Sequence, residues 1–181
     1  MKKWLSLTLA SLLILSLAAC GGNGAPSPTP SGSGSVEEDL TEYQAEGVGV
    51  FYLPEGFDLD FGPAEVNGMP ITCATLTKGA LTVEASRFGA DAYAAAGAPL
   101  PADLEDYAQR EGVKAGLPEG TEFSEDEYGS IYAQYTLEDG TRVYHVLKQG
   151  TDAFGAVTVS GPEDAFDGAD AALWAGKAEL E

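Results

Sequence analysis

The chain of 181 residues contains a single histidine, His145, and it is the side chain best suited to pH-dependent chemistry. His145 lies in the second of two alternating runs, Ile131 to Glu138 and Thr141 to Lys148, which Asp139-Gly140 separates. An Asp-Gly pair between two such runs predicts a β-hairpin with a two-residue turn. That turn places Gln134 opposite His145 in the predicted register.

In this register Tyr132, Gln134 and His145 share one face of the hairpin, and they form the most polar group on any predicted strand surface. A tyrosine offers an apolar ring with a hydroxyl, and a histidine offers a pH-sensitive contact. We therefore name these three residues as candidate ligand-binding residues. The alternative is a partly covered sheet face whose polar groups satisfy one another, and a one-residue slip in register would separate the group.

The sequence offers few parts for nucleophilic catalysis. Cys73 with His145 is the only conceivable thiol pair, and no serine has the Gly-x-Ser-x-Gly surroundings of a nucleophile elbow. We expect Cys73 to be a small, partly buried residue with little reactivity, and we expect no catalytic residues and no enzyme activity.

Carboxylates are abundant, but their spacing indicates solvated surfaces rather than metal sites. The series Glu163, Asp164, Asp167 and Asp170 lacks the spacing of a calcium-binding loop and has no aromatic sugar platform beside it. One histidine and two cysteines do not make a zinc site, and the glycines do not form a phosphate-binding loop. We expect no metal and no cofactor.

Cys20 carries a different chemistry, because of what precedes it. Lys2-Lys3, an apolar run from Trp4 to Leu17, and then Ala18-Ala19 have the pattern of a secretory signal with a cleavage point after small residues. With Cys20 first after that point, the segment resembles a bacterial lipobox, which implies acylation of Cys20. The alternative, a transmembrane helix, needs about 20 apolar residues, more than this run supplies.

The net charge restricts the partners. The chain has 9 basic and 29 acidic residues, and loss of residues 1–19 leaves 7 basic residues and a net charge of −22. Nucleic acid and anionic headgroups both need a basic surface, so we expect no nucleic acid partner and no docking of the folded domain on lipid. The expected membrane contact is the lipid on Cys20, at the extracytoplasmic face of the cell membrane.

Composition divides the chain into three parts: a signal peptide over 1–19, a lipidated cysteine with a flexible linker over 20–46, and a single domain over 47–181. Residues 21–36 consist almost entirely of Gly, Ser, Pro, Thr, Ala and Asn, which do not form a core. The remaining 135 residues have the size of one domain.

Within the domain, hydrophobic periodicity predicts an α+β fold, with a central antiparallel sheet and helices packed on it. In the hairpin around Lys78-Gly79, the register puts Cys73, Thr75, Thr82 and Glu84 on the more polar face. The predicted strands are 48–53, 71–77, 80–87, 131–138, 141–148, 153–160 and 177–180, and the predicted helices are 90–96, 104–115 and one that begins at Ser160-Gly161-Pro162-Glu163, with Phe166, Ala169, Leu173 and Trp174 as its buried stripe.

The order of these elements resembles that of the PsbP-like family. The opening strand runs into Leu53-Pro54-Glu55-Gly56-Phe57, a long meander covers 130–160, and Pro162-Glu163-Asp164-Ala165-Phe166 is similar to the family's entry into its last helix. The resemblance covers about residues 47–181. It implies a central antiparallel sheet with helices on its faces, and a binding or assembly role rather than catalysis.

Two functions from different classes follow. The first is a lipid-anchored, non-enzymatic binding or assembly module of the cell envelope, whose partner is an envelope protein or a small ligand held on the sheet. The alternative is a small secreted hydrolase that uses carboxylates.

Overall fold

The computed structural model describes residues 40–66, 68–126 and 129–181. The predicted signal peptide over 1–19, Cys20 and residues 21–39 of the predicted linker lie outside the described residues. The strands are β1 (Leu40–Ala45), β2 (Gly49–Pro54), β3 (Asp58–Val66), β4 (Met69–Lys78), β5 (Leu81–Gly89), β6 (Ser124–Glu125), β7 (Ile131–Thr136), β8 (Thr141–Gln149), β9 (Ala153–Pro162) and β10 (Glu179–Leu180). The helices are α1 (Ala90–Ala95), α2 (Leu104–Gln109), α3 (Glu111–Lys114) and α4 (Gly168–Lys177).

The strands form two sheets. Seven of them make one sheet in the order β3-β4-β5-β9-β8-β7-β6, in which every neighbouring pair is antiparallel. This sheet confirms the predicted central antiparallel sheet. The smaller sheet has the order β1-β2-β10, and it was not predicted.

The main core lies against one face of the larger sheet, which we call the core face. Alternate residues of its central strands point into this core, as the two-residue period of a strand requires. Among them are Leu76, Val83, Val157 and Val159, each at most 1% exposed. The same cluster contains residues of the smaller sheet and of α4: Phe51, Leu53, Ala171, Trp174 and Ala175.

The predicted faces of the hairpin that joins β4 and β5 are confirmed, but its turn lies one residue later than predicted, at Gly79-Ala80, which shifts the pairing by two residues. Leu76 pairs with Val83 and Thr75 pairs with Glu84, so the apolar and polar sets fall on opposite faces. The turn needs a residue with positive φ, and Gly79 supplies it at 61°.

The predicted register of the hairpin that joins β7 and β8 is wrong by one residue. The amide of Leu137 donates to the carbonyl of Thr141, and the amide of Gly140 donates to the carbonyl of Leu137. The loop therefore has three residues, with Gly140 in the left-handed region at φ 86°. As a result Gln134 pairs with Tyr144, and His145 pairs with Ala133.

The ordered fold begins before Gly47, which corrects the predicted start of the domain. Residues 40–45 form β1, which pairs along its length with β2. Tyr43 is 8% exposed, and its hydroxyl accepts hydrogen bonds from the amides of Gly56 and Phe57 at 3.0 and 3.1 Å. The acidic composition around this segment does not indicate that it contains a buried tyrosine. The strand forms because β2 supplies a pairing partner.

Two predicted helices have different bounds. The predicted helix over 104–115 is divided into α2 and α3, because Arg110 has an extended conformation with ψ at 133°. The predicted helix entry at Pro162 is wrong: Pro162 ends β9, and α4 begins at Gly168. The buried residues of α4 include Trp174, as predicted, while Phe166 and Leu173 are partly buried and the side chain of Ala169 lies outside the described part.

Candidate functional site

The three predicted ligand-binding residues do not lie on one surface. Tyr132 pairs with Val146 and Gln134 pairs with Tyr144, so both belong to the core face of the larger sheet. His145 lies on the opposite face, because it alternates with Tyr144 and Val146 along β8. The predicted patch of Tyr132, Gln134 and His145 is thus divided by the sheet, as a register slip of one residue requires.

Tyr132 and Tyr144 stack at the margin of the main core. Their ring centroids are 5.4 Å apart and their planes differ by 16°. Tyr144 is buried and Tyr132 is partly buried against the cluster, whereas Gln134 is exposed. The two tyrosines therefore act in packing, and ligand binding by Tyr132 or Gln134 stays a prediction.

A ladder of polar residues crosses the face that carries His145. Thr75 of β4 pairs with Glu84 of β5, Glu84 pairs with Thr158 of β9, and Thr158 pairs with His145 of β8. Paired residues in adjacent antiparallel strands have Cβ atoms about 5 Å apart. The four side chains therefore form one continuous row over four strands.

A second row runs beside the first on the same face. Thr82 of β5 pairs with Ser160 of β9, Ser160 pairs with Val143 of β8, and Val143 pairs with Tyr135 of β7. We call the polar members of the two rows the polar face. It consists of Thr75, Thr82, Glu84, Tyr135, His145, Thr158 and Ser160, all of which are partly exposed.

The other half of this side of the sheet is apolar. Leu147, Phe154 and Ala156 form a second buried cluster with Tyr107 and Ala108 of α2. Phe123 packs against that cluster, and its ring centroid is 6.0 Å from that of His145. The polar face therefore begins where this cluster ends, with Phe123 and His145 at the boundary.

Glu84 is the ionisable group at the centre of the polar face. Burial raises the pKa of its carboxyl above the ordinary value, because water is partly removed from the charged form. Within the described part of the chain, no hydrogen bond or ion pair to its carboxylate compensates for this loss of water. None of the other polar-face residues is a lysine or an arginine.

His145 is held by Thr158 and is neutral at pH 7. Its Nδ1 atom and the Oγ1 atom of Thr158 are 2.8 Å apart. The ring keeps some exposed area, but the surrounding protein removes most of its water and lowers its pKa to about 4. The histidine therefore adds no positive charge to the polar face under ordinary conditions.

Tyr135 extends the electrostatic site towards β7. Burial raises the pKa of its hydroxyl, and the negative charge of Glu84 raises it further. Glu84 and Tyr135 lie in strands that two others separate, so the charge of Glu84 acts across the polar face.

The conceivable thiol pair is not assembled. Cys73 and His145 occur on the same side of the sheet, but β4 and β8 are separated by β5 and β9, which puts their backbones about 14 Å apart. The Sγ atom of Cys73 instead lies 3.7 Å from the carbonyl oxygen of Gly62 in the neighbouring strand. The two residues therefore do not make a nucleophile and its base.

In residues 40–66, 68–126 and 129–181, no group of three or more His, Cys, Asp or Glu residues has the arrangement of a metal site. The same part of the chain contains no helix long and apolar enough to cross a membrane. No protein-family model matches the chain, and no curated protein sequence matches it.

The sequence indicated the part of the polar face on β4 and β5 but not its continuation onto β9 and β8. The β4–β5 register already put Thr75, Thr82 and Glu84 together. Thr158 was missed as a member because its pairing with Glu84 joins strands that are 74 positions apart. No local pattern reports that pairing, so the row from Glu84 to His145 had no signal of its own.

Proposed function

We propose that this chain is a lipid-anchored, extracytoplasmic, non-enzymatic binding module that holds a small ligand on its polar face. The anchor rests on the charged start, the apolar run and Cys20, which together resemble a lipobox. The lipid on Cys20 would be the membrane contact, since a chain with a net charge of −20 is repelled by anionic headgroups.

The observation that carries the binding role is the carboxylate of Glu84. Removing water from an ionised group without a compensating partner costs folding free energy. Perturbed ionisable groups of this kind are concentrated at functional sites. Glu84 lies in a row of hydroxyl groups, which adds hydrogen-bonding capacity around the charge, so a ligand bound there would replace the lost water.

The arrangement favours binding over catalysis. A nucleophilic mechanism needs a nucleophile, a base and an orienting group within hydrogen-bond reach. His145 contacts the Thr158 hydroxyl, but within the described residues no third group orients its imidazole, and Cys73 lies three strands away. The polar face thus offers recognition groups without a complete set for nucleophilic catalysis.

A second candidate function, a small secreted carboxylate-dependent hydrolase, is favoured by one feature of Glu84. A general acid needs a raised pKa, and burial raises that of Glu84. Asp60 pairs with Thr75 and so lies in the same row, two strands or about 10 Å away. Hydrolysis of a glycan or peptide substrate that is lost in Glu84→Gln would establish this alternative.

A PsbP-like architecture belongs to the same proposal. It rests on the resemblance of the strand that runs into Leu53-Pro54-Glu55-Gly56-Phe57, which is β2, and of the meander of β7, β8 and β9, although β1 precedes β2. The segment Pro162–Phe166 lends no support, because Pro162 ends a strand and does not begin a helix.

The experiment that tests the binding role is a ligand screen read residue by residue. Full-length protein in detergent is titrated with small amines, carboxylates, sugars and alcohols, and the backbone amide shifts are recorded by NMR. The proposal expects at least one compound to give saturable shifts at Thr75, Glu84 and Thr158. Shifts restricted to loops, or none at these residues for any compound, would count against it.

A further inference from the structure

We propose that the ligand of the polar face is a small organic cation, a primary ammonium group on an apolar body, with Glu84 as its counter-ion. This inference rests on the proposed binding function and deepens it. It follows from the charges of the polar face, from the hydrogen-bond acceptors beside Glu84 and from the ring of Tyr135.

The charges of the face exclude most other ligands. Glu84 brings a negative charge, His145 is neutral at pH 7, and the remaining members are hydroxyl-bearing residues. Asp58 and Asp60 flank the two rows on β3 and are exposed. An anionic ligand would be repelled here, whereas a cation would regain for Glu84 the favourable interactions it loses with water.

The residues beside Glu84 supply the acceptors that an ammonium ion needs. An ammonium has three donors and no acceptor, so it needs about three acceptors around it. The Glu84 carboxylate supplies one or two, and Thr75 and Thr158, each with a hydroxyl group, pair with Glu84 from the two neighbouring strands.

The contact between His145 and Thr158 leaves the hydroxyl of Thr158 available to a cation. In the neutral tautomer that carries its proton on Nε2, the Nδ1 atom, 2.8 Å from the Thr158 Oγ1 atom, accepts the hydrogen of that hydroxyl. In this tautomer the Thr158 oxygen keeps lone pairs that can accept from the ligand. His145 thus orients an acceptor without adding a competing charge.

The polar face is better suited to an organic cation with an apolar group than to a metal ion. In the described residues no three metal-binding side chains converge, so a bare divalent ion would find too few ligands. Tyr135 instead offers a partly buried ring on the same face, in the second row and three strand spacings from Glu84, or about 14 Å between their backbones. An aromatic ring attracts both an apolar body and a cation over its face.

The test compares an amine with its neutral analogue. Full-length protein in detergent is titrated by calorimetry and by NMR with 2-phenylethylamine and with 2-phenylethanol, which has a hydroxyl in place of the ammonium. We expect the amine to bind at least about tenfold more tightly than the alcohol, since a charge-assisted contact is worth about 1.5–3 kcal/mol and 1.4 kcal/mol is tenfold.

Variants identify the counter-ion. Glu84→Gln keeps the size of the side chain and removes its charge, so it should lower the affinity for the amine about tenfold or more. Glu42→Gln, at an exposed position of β1, is the matched control and should leave the affinity unchanged. Thr75→Val removes one acceptor and should weaken binding of the amine severalfold. This variant still tests the proposal if Glu84→Gln does not fold.

The outcomes separate this inference from the function on which it rests. Equal binding of amine and alcohol at the polar face, or amine binding unaffected by both Glu84→Gln and Thr75→Val, would overturn the cation proposal and leave the binding module intact. The absence of any polar-face shift, both with these two compounds and across the wider screen, would overturn both.

Discussion

The Nδ1 atom of His145 lies 2.8 Å from the Oγ1 atom of Thr158, its direct partner in the ladder between β8 and β9. This contact fixes the imidazole on the polar face, on the side of the sheet away from Tyr132 and Gln134. It also joins the histidine to Glu84, because Thr158 pairs with both residues. The Thr158 side chain therefore contacts the imidazole and stands between it and Glu84 in the row.

Replacing that hydroxyl should destabilise the fold. Thr158→Val leaves the imidazole without its hydrogen-bond partner, so we expect the free energy of unfolding to fall by about 1 kcal/mol or more in urea denaturation. Thr82→Val is the control, because Thr82 is also partly exposed on the same face but has no side-chain contact of this kind in the described residues. Equal losses in the two variants would contradict the role of the hydroxyl.

The stability of the protein should depend on pH through His145. Its pKa is about 4 in the folded state and near the ordinary 6.5 in the unfolded state, so between these values the unfolded chain binds a proton that the folded chain does not. Folding should therefore lose stability as the pH falls from 6.5 to 4, by up to about 3 kcal/mol for this one group. Above pH 6.5 the contribution is constant.

The contribution of His145 is isolated by comparison with His145→Gln. The carboxylates titrate alike in both proteins, so the difference between their free energies of unfolding, measured from pH 4 to 7, reports the histidine. We expect the advantage of the wild type over the variant to shrink as the pH falls. An NMR titration of the lone histidine with a midpoint near 6.5 would refute the burial effect.

Glu84 should have the opposite effect on stability. Burial raises its pKa, so ionisation of Glu84 lowers the free energy of unfolding at pH 7. This loss of stability disappears as the pH falls through the raised pKa. Glu84→Gln should therefore stabilise the unliganded protein at pH 7, by less than about 1 kcal/mol because the side chain keeps part of its contact with water. The gain should vanish well below pH 4.5, where the carboxyl is protonated in both states. A destabilised variant at pH 7 would show that the carboxylate has a stabilising partner.

The lipid anchor should depend on Cys20 alone. Cells that express the chain are labelled with a radioactive fatty acid, and the protein is purified and compared with Cys20→Ala. We expect label on the wild type and none on the variant, with Cys73→Ala as a control that keeps the label. One acyl chain holds a protein only marginally at a membrane, so at least two chains are expected by mass spectrometry. Label that persists in Cys20→Ala would contradict the anchor.

The sequence correctly predicted features that depend on residues close together in the chain, such as tight turns and alternating strand faces. The two faces of the β4–β5 hairpin follow from alternation on both sides of a tight turn that contains Gly79, so Thr75 and Glu84 were correctly expected on one face. The β7–β8 register was missed because Asp139-Gly140 suits both a two-residue turn and a three-residue loop that ends in a left-handed glycine. One residue of loop length moved His145 to the other face.

The remaining differences come from pairing and side-chain contacts that hydrophobic periodicity does not report. β1 is a strand because β2 pairs with it and because Tyr43 bonds the backbone of the segment after β2. The interruption at Arg110 coincides with an ion pair of its guanidinium to Asp106 at 2.9 Å and a bond to the carbonyl of Pro99. Hydrophobic periodicity contains no information about either partner.

The most direct test of the account is the position of a bound amine on the sheet. Full-length protein saturated with 2-phenylethylamine is examined for intermolecular nuclear Overhauser effects from the ligand. We predict contacts to the methyl groups of Thr75 and Thr158 and to the ring of Tyr135, and their loss in Glu84→Gln. Contacts confined to Tyr132 and Tyr144 on the opposite side of the sheet, or an amine that makes none with the polar face, would contradict it.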